Sequence, residues 1–163
     1  MIEAVIFDLD GTLIQLPVDY ERMFMGFRKI MKTEKVRPLL ETVSKLDPNT
    51  KEQVFKAWDK AELDVSEKVT AKKEGMSVYQ KYSQKPKALV TMQGRALVKT
   101  VLDRCVLRFD FIVTREDSLS RVEQLRNAAE KLKTPCQNVL FVGNTDCDVA
   151  AAEKVGCQFL KVK

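Results

Sequence analysis

At 163 residues, 45% hydrophobic and 31% charged, the chain suffices for about one packed domain with a modest insertion. A net charge of +5 at pH 7 favours anionic partners, yet the lysines and arginines are interleaved with glutamates and no nucleic-acid-binding signature is present. Histidine is absent, so zinc hydrolysis by the usual ligand sets and every Ser-His or Cys-His mechanism lose support, and acid/base work falls to Asp, Glu, Lys or Tyr.

The first element is the most informative. Ala4-Val5-Ile6-Phe7 is a continuous apolar run, as expected of a strand buried on both faces of a parallel sheet. It delivers Asp8 and Asp10, two apart on an extended chain and therefore on one side, before Gly11 and Thr12 turn the chain away. Two carboxylates held that close repel unless a cation sits between them or one keeps a proton. Divalent metal and acid/base chemistry are the natural readings. A hairpin at Asp10-Gly11 is the bland alternative, but Pro17 interrupts any returning strand and a helical pattern begins near Val18.

Residues 15–87 carry no convincing strand. Met23, Phe24, Phe27, Ile30 and Met31 form one amphipathic stripe, and Pro38 opens a second helix through Leu39, Leu40, Val43 and Leu46. A capping arrangement of Asn49 with Glu52 introduces a third through Val54, Trp58, Ala61 and Leu63, and a fourth runs through Val69, Met76 and Tyr79. A helical insertion directly after the strand bearing both aspartates reads as a cap over the site, with a bundle packed only for stability as the alternative.

Beyond residue 87 strands and helices alternate. Strands are expected at Ala88–Thr91, Phe109–Thr114, Asn138–Val142 and Gln158–Val162, with helices at Arg95–Val106, Ser120–Leu132 and Asp146–Val155, the last ended by Gly156. With Ala4–Asp8 this gives five main strands in a doubly wound, Rossmann-like parallel α/β sheet. The core domain is residues 1–14 and 88–163; the all-helical cap is 15–87. Cys105, Cys136, Cys147 and Cys157 include no C-x-x-C pair and read as reduced thiols. No run is long enough to cross a bilayer, and the N-terminus does not look like a signal peptide, so a cytoplasmic protein with no membrane partner is expected.

The whole chain resembles the haloacid dehalogenase superfamily of phosphohydrolases, in particular its phosphoglycolate-phosphatase-like members with helical caps. The D-x-D-G-T signature stands as Asp8-Leu9-Asp10-Gly11-Thr12. The second motif, an apolar strand ending in Thr or Ser, stands as Ala88-Leu89-Val90-Thr91. The fourth stands as Gly143-Asn144-Thr145-Asp146-Cys147-Asp148 before an alanine-rich helix.

The resemblance implies a Mg²⁺-dependent phosphatase acting on a small phosphorylated metabolite through an aspartyl-phosphate, with Asp8 as nucleophile and Asp10 as acid and base. Thr91 would contact the phosphate, alongside Gly11, Thr12 and the backbone of Met92. Mg²⁺ would be held by Asp8, the Asp10 carbonyl, Asn144 and Asp148.

Two departures stand out. Asn144 occupies the place of a metal-binding Asp, which Asp146 or Asp148 can offset. The third-motif lysine is missing from Thr114–Leu125, where Arg121 sits nearest to its place and Arg115 is the fallback. A weakened phosphate- or metabolite-binding member, an aspartyl-phosphate switch and a phosphomutase are the alternatives; dehalogenation is disfavoured by Asp10. Arg22, Arg28, Lys29 and Lys32 of the insertion are candidate substrate contacts or simply solvated charges.

Overall fold

The computed structural model describes residues 1–163. Five parallel strands form one sheet in the order β5-β4-β1-β6-β7: β1 (Ala4–Phe7), β4 (Lys87–Val90), β5 (Phe111–Val113), β6 (Val139–Gly143) and β7 (Gln158–Lys161). All four residues of β1 are fully buried, which is why no polar residue interrupts them.

Strand alternation then assigns the two faces. Val5 and Phe7 join Leu89, Leu140 and Val142 beneath α5 (Arg95–Cys105). Ala4 and Ile6 join Val90, Val139 and Phe141 beneath α6 (Arg121–Lys131) and α7 (Asp146–Val155). Helices thus cover both faces, and the doubly wound α/β architecture expected from the sequence is the one found.

The chain runs from β1 outward to β4 and β5, then crosses back to β6 on the other side of β1. That reversal is the topological switch point of an open parallel sheet, where loops diverge and leave a crevice at the carboxyl ends. Asp8, Thr91 and Asn144 each directly follow the strand that ends there.

Between β1 and β4 lie α1 (Tyr20–Met31), α2 (Leu39–Ser44), α3 (Pro48–Leu63) and α4 (Lys73–Lys81). A third apolar cluster joins α1, α2 and α3 through Met23, Phe24, Phe27, Val43, Val54 and Trp58. The helix α4 instead packs on the sheet: Tyr79 lies 5.7 Å from the Phe7 ring and 5.6 Å from that of Phe109.

Three local expectations change. The N-cap of α3 is Asp47, which accepts from Thr50 N at 2.9 Å, with Pro48 in the first turn and Asn49 inside the helix. Proline lacks the N–H that first-turn residues leave unpaired, so Asp-Pro outcompetes Asn49 as a start. Val69 lies outside α4. Residues 15–87 are also not free of strand, since β2 (Ile14–Gln15) pairs antiparallel with β3 (Thr70–Ala71). Two-residue strands leave no periodicity to read.

Lys72 N donates to Leu13 O at 2.8 Å, bringing the start of α4 onto the loop that follows Asp10. A Cβ on Gly75 would lie 1.8 Å from Thr12 O, so only hydrogen fits there. Helix propensity alone predicts that Gly75→Ala stabilises by ~1 kcal/mol. The opposite is expected here, a loss of roughly 1–3 kcal/mol from overpacking. Gly26, within α1 and with nothing near its missing Cβ, should gain ~0.5–1 kcal/mol on the same change. Denaturant midpoints of the two variants test this difference in sign.

Candidate active site

The loop ends of β1, β4 and β6 surround a cavity of about 310 Å³ lined by Asp8, Asp10, Gly11, Gln15, Tyr20, Met92, Gln93, Arg121, Asn144, Thr145 and Asp148. A larger hollow of about 650 Å³ lies between α2, α3 and the loop before α6. It contains neither Asp8 nor Asp10, so the smaller cavity is the candidate site.

Asp8 is 4% exposed. Its Oδ1 accepts from Arg121 Nη2 at 2.8 Å. The Thr12 hydroxyl, one proton between two acceptors, lies 3.0 Å from Asp8 Oδ2 and 3.1 Å from Asn144 Oδ1. Burial pushes the Asp8 carboxyl up to about 6, against the downward pull of Arg121, while neighbouring Asp148 adds to the rise.

Asp10 also titrates above its ordinary value through burial, although Leu16 N donates to its Oδ1 at 2.8 Å and Tyr20 Oη to its Oδ2 at 3.3 Å. A carboxyl that keeps its proton more readily than usual is suited to giving one away.

Arg121 opens α6, whose N-cap Ser120 accepts from Glu123 N at 3.3 Å. Besides Asp8, its guanidinium contacts Asp148 Oδ1 through Nε at 3.1 Å and Gln124 Oε1 through Nη1 at 3.0 Å. Asp148 Oδ2 meanwhile accepts from Asn144 N, Thr145 N and the Thr145 hydroxyl, within the capping box that starts α7. Both Asp148 oxygens are therefore engaged by the protein. Asp146, the further carboxylate of this loop, pairs with Lys161 at 2.6 Å and does not line the cavity.

Of the two arginines, Arg121 is the one that reaches Asp8. Arg115 is fully buried elsewhere and pairs with Asp59 and Glu62 of α3. Thr91 is also fully buried: its hydroxyl donates to Gln93 Oε1 and accepts from Gln93 N at 3.1 Å. Met92 and Gln93, not Thr91, line the cavity. Gly11 lines it as well, at φ +82, where a Cβ would meet the Asn144 amide nitrogen at 2.3 Å. None of Arg22, Arg28, Lys29 and Lys32 lines it; Tyr20 and Gln15 do so from the start of the insertion.

Sequence reasoning passed over Gln93, Gln124 and Tyr20. Gln124 left a signal: with Leu125, Ala128 and Ala129 it falls on the buried stripe of α6, a polar residue out of pattern. Its amide donates to Thr91 O at 2.8 Å and Ser118 O at 2.9 Å, tying two loops together beneath Arg121.

A buried carboxylate thus stands at the end of a central parallel strand, with a second acid two residues on and a guanidinium across from it. The haloacid dehalogenase-like hydrolase family model matches residues 5–162, and the chain belongs to that family. No curated protein matches the sequence.

Among solved structures, a hydrolase from Pseudomonas syringae aligns with TM-score 0.75 at 17% identity, over 98% of this chain and 84% of that one. The haloacid dehalogenase-like protein SP0104 from Streptococcus pneumoniae gives 0.72 at 16%, over 99% and 85%. A predicted phosphatase from Clostridium acetobutylicum gives 0.69 at 18%, over 99% and 84%. At such identities the likeness concerns the fold.

Because Asp8 rises from 3.8 to about 6 on folding, its ionisation costs up to roughly 3 kcal/mol of stability as pH climbs through that interval. At neutral pH Asp8→Asn should therefore raise the melting temperature, Arg121 keeping Asp148. Thermal melts of both proteins at pH 4 and pH 7 check this; a variant no more stable than the wild type at pH 7 would show that the Asp8 charge is not costly there.

Proposed function

We propose that this protein is a Mg²⁺-dependent phosphatase that hydrolyses a small phosphomonoester through a covalent phosphate on Asp8. The observation that carries this reading is the state of Asp8, buried, ionisable near neutrality and held between Arg121 and Thr12.

The Asp8 carboxylate attacks phosphorus, the bond to the leaving oxygen breaks, and Asp10 supplies that oxygen with a proton. Asp10 then takes a proton from water, whose oxygen attacks phosphorus and breaks the bond to Asp8. Arg121 offsets negative charge at Asp8 and at the phosphate, the work of the missing lysine, and a guanidinium suits it because it stays charged and presents a fork of donors. Tyr20 and Leu16 N fix both Asp10 oxygens, so its proton is held at a defined place. Gly11 and the backbone of Met92 offer further phosphate contacts, and the Thr91 hydroxyl contributes by fixing Gln93.

The donor set fits Mg²⁺. Asp8 Oδ2 and Asn144 Oδ1 are both hard oxygens converging on one hydroxyl, and with the Asp10 carbonyl they would hold the ion. When bound, Mg²⁺ would neutralise charge on the attacking carboxylate and the phosphate. Asp148 serves through Arg121 and the α7 capping box instead of as a direct ligand.

A small phosphorylated metabolite suits a cavity of about 310 Å³, and four unpaired cysteines suit the reducing cytoplasm. No helix is long and apolar enough to cross a membrane. The second reading, a phosphate-binding member with little turnover, draws on Asn144: it is neutral, and no three His, Cys, Asp or Glu side chains gather to hold a metal.

With para-nitrophenyl phosphate, turnover should require Mg²⁺, stop with chelator and be abolished in Asp8→Asn; Mg²⁺-independent turnover would overturn the reading. Asn144→Asp should lower the Mg²⁺ concentration for half-maximal activity about tenfold, which needs only ~1.4 kcal/mol of added metal binding. Tighter Mg²⁺ binding without turnover would favour the binding reading.

A further inference from the structure

We propose that Glu62, delivered by the insertion's helix α3 and held by the buried guanidinium of Arg115, is a positioning residue for the Met92–Gly94 turn of the active site. The reading of the site as a phosphatase supplies one readout for this proposal, whereas the contact itself stands on geometry.

Three separate segments meet at one point. Glu62 Oε1 accepts from Gly94 N at 3.1 Å and from Arg115 Nη1 at 2.6 Å. The same Nη1 donates to Met92 O at 3.2 Å, and Nη2 reaches Asp59. The guanidinium lies 4.4 Å from the Trp58 ring centre, sandwiched against α3. Side-chain exposures of 1% for Glu62 and 0% for Arg115 make their pair dry, while Asp59 at the edge is 33% exposed.

A Cβ on Gly94 would lie 2.1 Å from Asp59 Oδ1, so the turn is pressed directly against the cluster. Met92 and Gln93, within that turn, form one wall of the cavity, and Gln93 in turn fixes Thr91. Gly94 is also the N-cap of α5, where a carboxylate can satisfy an N–H that lacks a partner within the helix.

Stability alone does not account for these charges. Glu62 Oε2 and Arg115 Nε have no hydrogen-bond partner. A buried ion pair left partly unsatisfied is commonly matched or bettered by apolar residues of similar volume. What an apolar pair lacks is an acceptor for Gly94 N and a donor for Met92 O. The first bond holds the site's wall to the insertion directly, and the second does so through Arg115, itself paired with Asp59 and Glu62.

The test compares the full chain with the apolar pair Glu62→Leu/Arg115→Met and with Glu62→Gln, which keeps an acceptor oxygen. The apolar pair should melt within a few degrees of wild type, yet its Gly94 amide should exchange hydrogen ~10-fold faster or more. With para-nitrophenyl phosphate and Mg²⁺, kcat should fall ~10- to 100-fold, as a misplaced wall group costs, with KM little changed. Glu62→Gln should keep both Gly94 protection and most of kcat.

Should the apolar pair fail to fold, Arg115→Lys makes the same comparison, because an ammonium cannot span Met92 O, Glu62 and Asp59 together. Wild-type Gly94 protection or wild-type kcat in a folded apolar pair, or in Arg115→Lys, would overturn the proposal. If the wild type itself shows no turnover, the phosphatase reading fails, and Gly94 exchange alone decides this one.

Discussion

One guanidinium between two nearly dry carboxylates is the interaction on which the candidate site depends. Asp8 and Asp148 come from opposite ends of the sequence and are brought close by the pairing of β1 with β6. Without a cation between them, two buried negative charges would repel each other and take up protons. Arg121 allows both to remain in place, and Gln124 and the α7 capping box fix its two ends. The placement of Asp8 is thus tied to the same contacts that start helices α6 and α7.

This arrangement suits the proposal that Arg121 does the work of the missing lysine. A lysine presents one point of charge, while the guanidinium contacts Asp8, Asp148 and Gln124 through three different nitrogens. The distinction bears on Asn144 too. With Asp148 bound up in its capping box and in Arg121, a metal held as proposed would meet its negative charge at Asp8, beside the neutral amide of Asn144.

Much of the architecture was legible in the sequence because it obeys periodicity. The five sheet strands, the core helices and the aspartate pair all announce themselves by apolar runs or by helical spacing. What stayed hidden acts through single contacts between distant segments. Tyr20 reads as part of an ordinary amphipathic start, and only the turn at Pro17 brings it over Asp10. Glu62 shares a helical face with Val54 and Trp58, and an acidic residue there carries no meaning until Arg115 is known to lie opposite. The β2–β3 pair is too short for any pattern, and Thr91 looks like a phosphate contact until its hydroxyl is seen turned toward Gln93.

That short ladder has a broader consequence. By pairing Ile14–Gln15 with Thr70–Ala71, it clasps the two ends of the chain segment between them, so the intervening helices leave and rejoin the core at nearly one point. A segment whose ends are already closed behaves as an exchangeable cassette: the entropic cost of changing its length grows only logarithmically, ~0.6 kcal/mol per doubling. Beyond Tyr20, which meets Asp10, helices α1 to α3 can therefore change in length while the strand ends that carry Asp8 and Asp10 keep their places. What such exchange must conserve is the anchoring around it, from the bare backbone face of Gly75 to an acid able to meet Arg115.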